Sequence, residues 1–456
     1  MSLRFLHYSD VENAHDDPER IGRLAGALRE LAGDDTVVAG TGDNTSPGVL
    51  PLVTEGMQAV DFFEAAGTDV ETFGNHDFDY GVEATRRVVA ASPQTWVSAN
   101  VREDGERFAA DAGVVPWLTI DRAGTTVGVT GVTDPKTPSI NPNAGAVTFE
   151  DPIEAVREAE AELREAGAEY VVVLSHLGNG DQELAVETDV DVVLGGHVHT
   201  ELQERIEGTL LTRPGVNGEV VYEVELGRDP AVTRHRVAEF GVNETVAGAL
   251  RERESDAALD EVVARVSDPI ERSEATTFRG ESRIGNFVAD AYRWAGDADV
   301  GLQNSGGIRS GPDIDGDVTV GDLVSVVPFD EPVAVAELAG EELRTVLQQS
   351  HGATVGFGEA DWWHSHVSGV ELTWDTVQQE LVEVTVCGEP LDPDATYTVA
   401  TNDYLFHTDH EFPLLDNEHR IGTLDTQYEV LAAYAREFGI DPSVEGRVRR
   451  RPTKEA

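Results

Sequence analysis

The sequence predicts an α/β fold in which strands and helices alternate and the strand ends carry the chemistry. Three observations support this. Five short apolar runs recur through the first half of the chain, each ending in a cluster of polar residues. Helical patterns lie between them, such as Pro18 to Leu31 and Pro152 to Ala166, with apolar residues three and four apart. At 456 residues and 40% hydrophobic content, the chain is long enough for two or three domains with cores of their own.

The five runs come in a fixed order. Leu3 to Leu6 leads to His7-Tyr8-Ser9-Asp10-Val11-Glu12, and Thr36 to Ala39 leads to Gly40-Thr41-Gly42-Asp43-Asn44. Val70 to Phe73 leads to Gly74-Asn75-His76-Asp77-Phe78-Asp79-Tyr80-Gly81, which packs an amide, an imidazole and two carboxylates side by side. Tyr170 to Leu174 leads to Ser175-His176-Leu177-Gly178, and Asp191 to Leu194 leads to Gly195-Gly196-His197-Val198-His199. In parallel α/β sheets the strand C-terminal ends share one edge, so five such loops can converge.

The converging residues are Asp10, Glu12, Asp43, Asn75, His76, His176, His197 and His199. Each loop taken alone also reads as a turn. Together they form a two-metal donor set: carboxylates neutralise divalent ions, imidazoles suit Zn, Mn, Fe, Co or Ni, and an amide oxygen is a neutral ligand. Two ions a few ångströms apart clamp a phosphoryl group and lower the pKa of a water.

In the second half, Asn243 to about Val266 reads as an amphipathic helix joining domains, which puts the boundary near 240 to 270. Phe278-Arg279-Gly280 precedes a helix start at Ile284-Gly285-Asn286. Asn304-Ser305-Gly306-Gly307-Ile308-Arg309 places an arginine behind a glycine turn, suited to oxyanion recognition or to surface pairing. Phe329 and Tyr404 stand beside loops, as base-stacking or core aromatics. Asp361-Trp362-Trp363-His364-Ser365-His366 reads as a strand with its hairpin rather than a second metal cluster. The basic tail Arg447 to Arg451 reads as a partner for the chain's own acidic surface.

With these motifs in hand, the chain resembles the two-domain 5'-nucleotidase family of the calcineurin-like metallophosphoesterase superfamily, over nearly its whole length. The resemblance implies a four-layer αββα metallophosphoesterase sandwich over 1–240, a connecting helix over 241–270, and a C-terminal α/β (α+β) nucleotide-binding domain over 271–456. It implies two divalent ions (Mn, Zn, Co or Mg) bridged by Asp43, one also held by Asp10 and His199, the other by Asn75, His176 and His197. His76 would be the catalytic imidazole, oriented by Asp79, while Asp77 and Phe78 serve as scaffold. Arg279, Asn304, Arg309, Phe329 and Tyr404 would bind the nucleotide, with Arg283 the competitor of Arg279.

Two departures stand out. Where the family's first motif reads Asp-x-His, this chain has Asp10-Val11-Glu12, and Glu12 is expected to substitute, with His15 as runner-up. The family's glycine-rich segment after the second aromatic is here His407-Thr408-Asp409-His410-Glu411-Phe412, and Asp330 follows Phe329, so the base pocket is expected to differ. The implied activity is hydrolysis of nucleotide phosphate esters of 5'-nucleotidase type. Its variants are 2',3'-cyclic nucleotide phosphodiesterase with 3'-nucleotidase activity and UDP-sugar or dinucleotide hydrolysis. A non-catalytic nucleotide-binding protein is the alternative of another class.

Composition narrows the setting. The 86 acidic residues face 33 basic ones, for a net charge of −53, and Lys136 and Lys454 are the only lysines. Such a charge repels polymeric nucleic acid and anionic membrane surfaces, so the expected partner is a small nucleotide. Cys387 is the only cysteine, no apolar run approaches membrane-spanning length, and the N-terminus runs directly into the first strand, which together give a cytoplasmic expectation. Self-repulsion on this scale needs screening, and the Debye length falls to about 3 Å at molar salt. A salt-adapted protein is therefore expected: melting should be higher in molar KCl than in low salt, and greater stability at low salt would sink that expectation.

Overall fold

The computed structural model describes residues 2–355, 359–408 and 410–451. Asp409, in the segment that departs from the family, lies outside them, as does Lys454. The chain forms two compact units, Met1–Ala257 and Ala258–Ala456.

In the first unit two six-stranded sheets lie face to face. One runs in the order Ala231–Arg236, Val220–Glu225, Arg4–Tyr8, Thr36–Gly40, Val70–Glu71, Thr95–Trp96. The other runs Leu202–Ile206, Thr209–Arg213, Val192–Gly195, Tyr170–His176, Thr125–Thr133, Trp117–Arg122. The central strands of both sheets are parallel, with antiparallel strands at both edges of the second sheet and at the Ala231–Arg236 edge of the first, whose other edge, Thr95–Trp96, is parallel. Alternation along a strand sends successive side chains to opposite faces. Val172 and Leu174 thus enter the core between the sheets with Phe5, Val37 and Leu194, while Val171 and Val173 pack outward against Val156 and Leu163 of the helix Pro152–Glu165.

On the opposite outer face, Phe62 and Phe63 of the helix Gln58–Ala66 meet Tyr8 and Trp96 edge-on, at 5.4 and 5.9 Å between ring centres. Helix, sheet, sheet and helix are the four layers. Capping explains the helix starts: Asp17 and Asp151 accept the first free N–H groups of Pro18–Leu31 and Pro152–Glu165, each with proline in the first turn.

The connecting helix expected over Asn243 to Val266 is corrected. A helix runs only over Glu244–Asp256, and Val262–Ile270 is a strand paired antiparallel with Ile314–Thr319. Ala258 takes a left-handed φ of 53°, which stops the helix, and Pro269 together with a β-branched run favours the extended form beyond it. Apolar residues counted as one helical face belong to two elements.

The second unit has a five-stranded sheet in the order Ser365–Ser368, Val300–Asn304, Thr396–Asn402, Pro332–Ala339, Arg420–Thr426. A four-stranded sheet runs Glu389–Pro390, Glu380–Val386, Val370–Asp375, Val448–Arg451. The Ser365–Ser368 and Val370–Asp375 strands are those expected after the tryptophans, and Trp363 and Trp374 are buried in the core of this unit. The basic tail is the edge strand of the smaller sheet. Arg447 meets Asp290 at 2.7 Å and Arg449 meets Glu371 at 2.8 Å, while Arg450 donates to the Arg279 and Asp361 carbonyls, so two of its charges meet carboxylates of the chain.

Candidate metal centre

All five polar loops of the first unit leave the C-terminal ends of parallel strands, and their donors come together. Asp43, His176 and His197 form one group, Asp10, Glu12 and His199 a second, and Glu12, Asp43 and His76 a third, with ligand atoms within 4.8 Å inside each group. Asp43 and Glu12 each belong to two groups, so the three overlap. Asp43 Oδ2 lies 2.9 Å from His176 Nε2, and Asp43 Oδ1 accepts the His76 backbone N–H at 2.7 Å. His176 Nδ1 meets the Thr41 carbonyl at 2.7 Å, which fixes the ring and leaves Nε2 for the centre.

The second donor group is held from two strands. Asp10 accepts the His197 backbone N–H at 3.0 Å, and Glu12 Oε1 stands 2.9 Å from His199 Nε2. That approach lacks hydrogen-bond alignment, and Glu12 Oε1 is buried with no hydrogen-bond partner; Asn75 Oδ1 is buried in the same condition. A buried unpartnered amide oxygen on the loop that carries His76, and a Glu12 carboxylate shared between two donor groups, fit cation ligands, since a buried polar atom left unpaired costs about 1–3 kcal/mol. The residues present therefore fit a pair of divalent ions.

The electrostatics agree. Burial pushes the Asp10 carboxyl up to about 7, against the pull of His176 and with added repulsion from Asp43 and Glu12. Burial would also raise Asp43, but His176 and His76 hold it down at about 2. Burial lowers His76, yet Asp43 and then Asp79 outweigh it and lift the imidazole to about 10. His76 Nδ1 lies 3.0 Å from Asp79 Oδ2, which orients the ring.

His15 stands apart. Its Nε2 meets the Asn44 carbonyl at 2.9 Å, and its buried ring packs edge-on against Phe62. The structure puts Glu12 with the cluster, though not for the reason read from the sequence. The Asp10–Glu12 segment is not extended: Asp10 and Glu12 take φ of 49° and 45°, and Val11 is helical. Asp43 and His197 are left-handed too, at φ 54° and 70°. Four non-glycine residues of one cluster in a sparsely populated region mark a backbone held by its surroundings.

That hold comes from residues to which sequence reasoning gave no place at the centre or only a scaffold role. Asp77 Oδ2 accepts the backbone N–H groups of Asp43 at 2.9 Å and Gly74 at 2.7 Å, and Asp77 Oδ1 accepts Thr45 Oγ1 at 2.7 Å. Glu71 accepts Gly42 N–H at 3.2 Å, Asn44 Nδ2 at 3.0 Å and the Tyr8 hydroxyl at 2.9 Å, and burial pushes it up to about 8. Asn141 Nδ2 donates to the Asn75 carbonyl at 2.7 Å and to Asp79 Oδ1 at 2.9 Å. Arg213 pairs with buried Asp181 at 2.9 Å and donates to the Gly178 carbonyl at 2.8 Å, pinning the loop after His176. The loops also crowd: a Cβ on Gly74 would lie 2.1 Å from Asp43 Oδ1.

In the second unit, the Arg309 guanidinium lies 4.9 Å over the Phe329 ring, and burial lowers its pKa against the pull of Tyr404 and Glu411. Tyr404 is 37% exposed, leaving a face for a ligand. The Asn304 side chain is engaged: Oδ1 accepts Asn402 Nδ2 at 2.9 Å and Gln303 Nε2 at 3.0 Å, and Nδ2 donates to Glu411 Oε2 at 2.8 Å. Glu411 is buried and also meets His364 Nδ1 at 2.9 Å, so the segment that departs from the family anchors this network. Arg279 is the residue after Phe278, whose ring lies 4.1 Å from Trp362, an aromatic pair the sequence did not announce. Arg283 is engaged by Asp268 and the Pro442 carbonyl.

Comparison with known proteins follows this geometry. Residues 3–201 match the calcineurin-like phosphoesterase family and residues 262–417 match the 5'-nucleotidase C-terminal domain. The trifunctional nucleotide phosphoesterase protein YfkN of Bacillus subtilis is 25% identical over 99% of this chain, which spans 35% of that protein's length. The apyrase of Tabanus yao is 27% identical, over 98% of this chain and 93% of its own. The crystal structure of the 5'-nucleotidase precursor from Thermus thermophilus shares the fold, with a TM-score of 0.70, 24% identity and full coverage of both chains.

The chain is thus a calcineurin-like phosphoesterase domain followed by a 5'-nucleotidase C-terminal domain. It is a metal-dependent phosphoester hydrolase, and calcineurin-like phosphoesterases use a dinuclear metal centre.

The loop carrying Asp43 gives a direct test of the scaffold. Asp77→Asn turns an amide N–H toward backbone donors, and loss of such a supporting contact typically weakens metal affinity about 10- to 100-fold. Calorimetric titration with Mn should show that loss with the donor residues themselves intact.

Proposed function

We propose that the chain hydrolyses nucleotide phosphate esters in the manner of a 5'-nucleotidase, releasing nucleoside and phosphate. The observation that carries this reading is His76, held by Asp79 on one side and beside the Asp43 and Glu12 carboxylates on the other. In this reading Asp43 with Asp10, Glu12 and His199 would hold one ion, and Asp43 with Asn75, His176 and His197 the other. Bound there, two divalent ions supply Lewis acidity toward the phosphoryl oxygens and make a water nucleophilic near neutral pH.

The chain's own residues do the rest. His76, protonated beside two carboxylates, donates a hydrogen bond from Nε2 to the phosphoryl or leaving-group oxygen as negative charge develops there. Asp79 accepts from Nδ1 and keeps the ring turned to that task. Asn141 and the Ser46 hydroxyl, which donates to Asp79 at 2.7 Å, hold the dyad in place. Glu12, in place of an imidazole, makes its site harder and more anionic, which favours Mn or Mg over Zn.

Nucleoside recognition is assigned to the second unit. Phe329 and Tyr404 stack the base, Arg309 and Arg279 meet oxyanions, and Asn304 shapes the site from within its network. The domain match and the nucleotide-directed relatives support this assignment.

Phosphate release should be measured with 5', 3' and 2',3'-cyclic nucleotides and UDP-glucose, in molar KCl with Mn. 5'-Nucleotides are expected to be the best substrates; preference for a cyclic nucleotide or UDP-glucose would move the substrate class. No release from any of them with Mn, Co, Zn or Mg would leave a nucleotide-binding protein without catalysis. His76→Asn should lower kcat by about 10²–10⁴-fold with metal content unchanged. Glu12→Ala should lose metal stoichiometry while His15→Ala keeps it, and the reverse would move the ligand to His15.

A further inference from the structure

Away from the metal groups, the first unit has a cavity of about 460 Å³ between the start of the helix Pro18–Leu31 and the strands Val220–Glu225 and Ala231–Arg236. Four arginines line it: Arg20, Arg23, Arg234 and Arg236. In a chain with 33 basic residues against 86 acidic ones, four arginines at one cavity are a concentration of cations, answered by the lining carboxylates Asp17, Glu19 and Glu219 and by Glu201, which pairs with Arg234.

Two of the arginines are fixed in place by carboxylates. Arg23 pairs with Glu19 at 2.6 Å and donates to the Phe240 carbonyl at 2.9 Å, and Arg234 makes a two-pronged pair with Glu201 at 2.6 and 2.7 Å. The other two have donors to spare. The nearest carboxylate contact of Arg20 is Asp17 at 3.9 Å, and Asp17 is already capping the helix. Among the described residues, no ion pair or hydrogen bond of the Arg236 guanidinium is found.

We propose that this cavity binds a phosphate-bearing small anion, inorganic phosphate or the phosphate of a nucleotide, at a site separate from the reacting centre. Planar guanidiniums recognise tetrahedral oxyanions through paired N–H donors, and Arg20 and Arg236 supply the forks, while Arg23 and Arg234, already paired with Glu19 and Glu201, frame the cavity in fixed positions. The volume lies in the range of small-molecule pockets. None of the metal-group residues lines it. Its walls nevertheless run into the centre: Asp17 directly follows the short helix Glu12–Asp16, and Asn217, next to Gly218 of the cavity, donates its N–H to the Asp10 carbonyl at 2.8 Å. A ligand here sits one backbone step from the loop that carries two of the candidate metal donors.

Calorimetric titration of the full chain with inorganic phosphate, Mn-loaded and after chelation, tests the site, because binding at the metal centre depends on the ions and binding at the arginines does not. The expected result is a phosphate site that survives chelation and weakens at least ten-fold in R20Q/R236Q, with phosphoester hydrolysis unchanged in that variant and affinity only partly restored in R20K/R236K, which keeps the charge without the fork. R236Q alone, a change on an exposed strand end, stands in if the double variant does not fold, and should weaken binding in the same direction. Tighter binding of AMP than of phosphate after chelation, weakened in R20Q/R236Q, assigns a nucleotide ligand, and an arginine-dependent component that is equal for the two assigns the phosphate group alone. Absence of binding after chelation up to millimolar phosphate, or equal binding by R20Q/R236Q and the unmodified chain, overturns the proposal. Neither outcome touches hydrolysis at the metal centre, which the activity measurements judge independently.

Discussion

Three carboxylates held side by side inside a protein are the constraint on which this architecture depends. Asp10, Glu12 and Asp43 are all buried, within reach of shared imidazoles, and burying like charges together is costly unless positive charge and donors are fixed around them. The fold supplies the donors from backbone. His197 N–H reaches Asp10 and His76 N–H reaches Asp43, so two of the three carboxylates are tied to a loop from another strand. Convergence at one sheet edge follows from strand direction, but the strained backbone at Asp10, Glu12, Asp43 and His197 is kept by these cross-strand bonds.

A second layer of carboxylates does not face the centre at all. Asp77 and Glu71 accept N–H groups from the Gly42–Asn44 loop, and Asp181 with Arg213 braces the loop after His176. The stretch from Gly74 to Gly81 therefore divides its work by residue. His76 stands in the donor cluster, Asn75 keeps a buried amide oxygen without a partner, Asp77 turns back to hold the neighbouring loop, and Asp79 orients His76. An acidic residue inside such a motif is as much a backbone acceptor as a candidate ligand, and the choice depends on which way the turn points it.

That choice decides what could be read in the sequence. The strands, the proline-started helices and the donors at the strand ends were legible, because alternation and capping are local signals. Glu12 was reached through an extended-segment argument, whereas the chain there turns at Asp10 and enters a short helix that carries His15 off to Asn44 and Phe62. Glu71 reads as an ordinary strand residue and Asn141 as a loop residue; only tertiary structure gives them a role. The helix beyond Asn243 was read too long because charged residues with scattered valines fit both periods, and the stop at Ala258 has no glycine to mark it. In the second unit, Arg309 and Phe329 were legible as separate candidates, while their stacking and the Glu411 network were not.

The large acidic surplus fits this division of labour. Exposed ion pairs such as Arg20 with Asp17 or Arg449 with Glu371 contribute about 0–1 kcal/mol and fade with salt. The carboxylates that hold the site are of another kind, buried and bonded to backbone N–H groups, where screening by ions hardly reaches. Surface charge can therefore accumulate without disturbing the centre. The scarce cations are then informative by position: Arg213 braces the loop after His176, Arg309 lies over an aromatic, Arg447 ties the terminal strand, and four arginines gather at the first-unit cavity, where Arg23 and Arg234 hold carboxylates and Arg20 and Arg236 keep donors to spare.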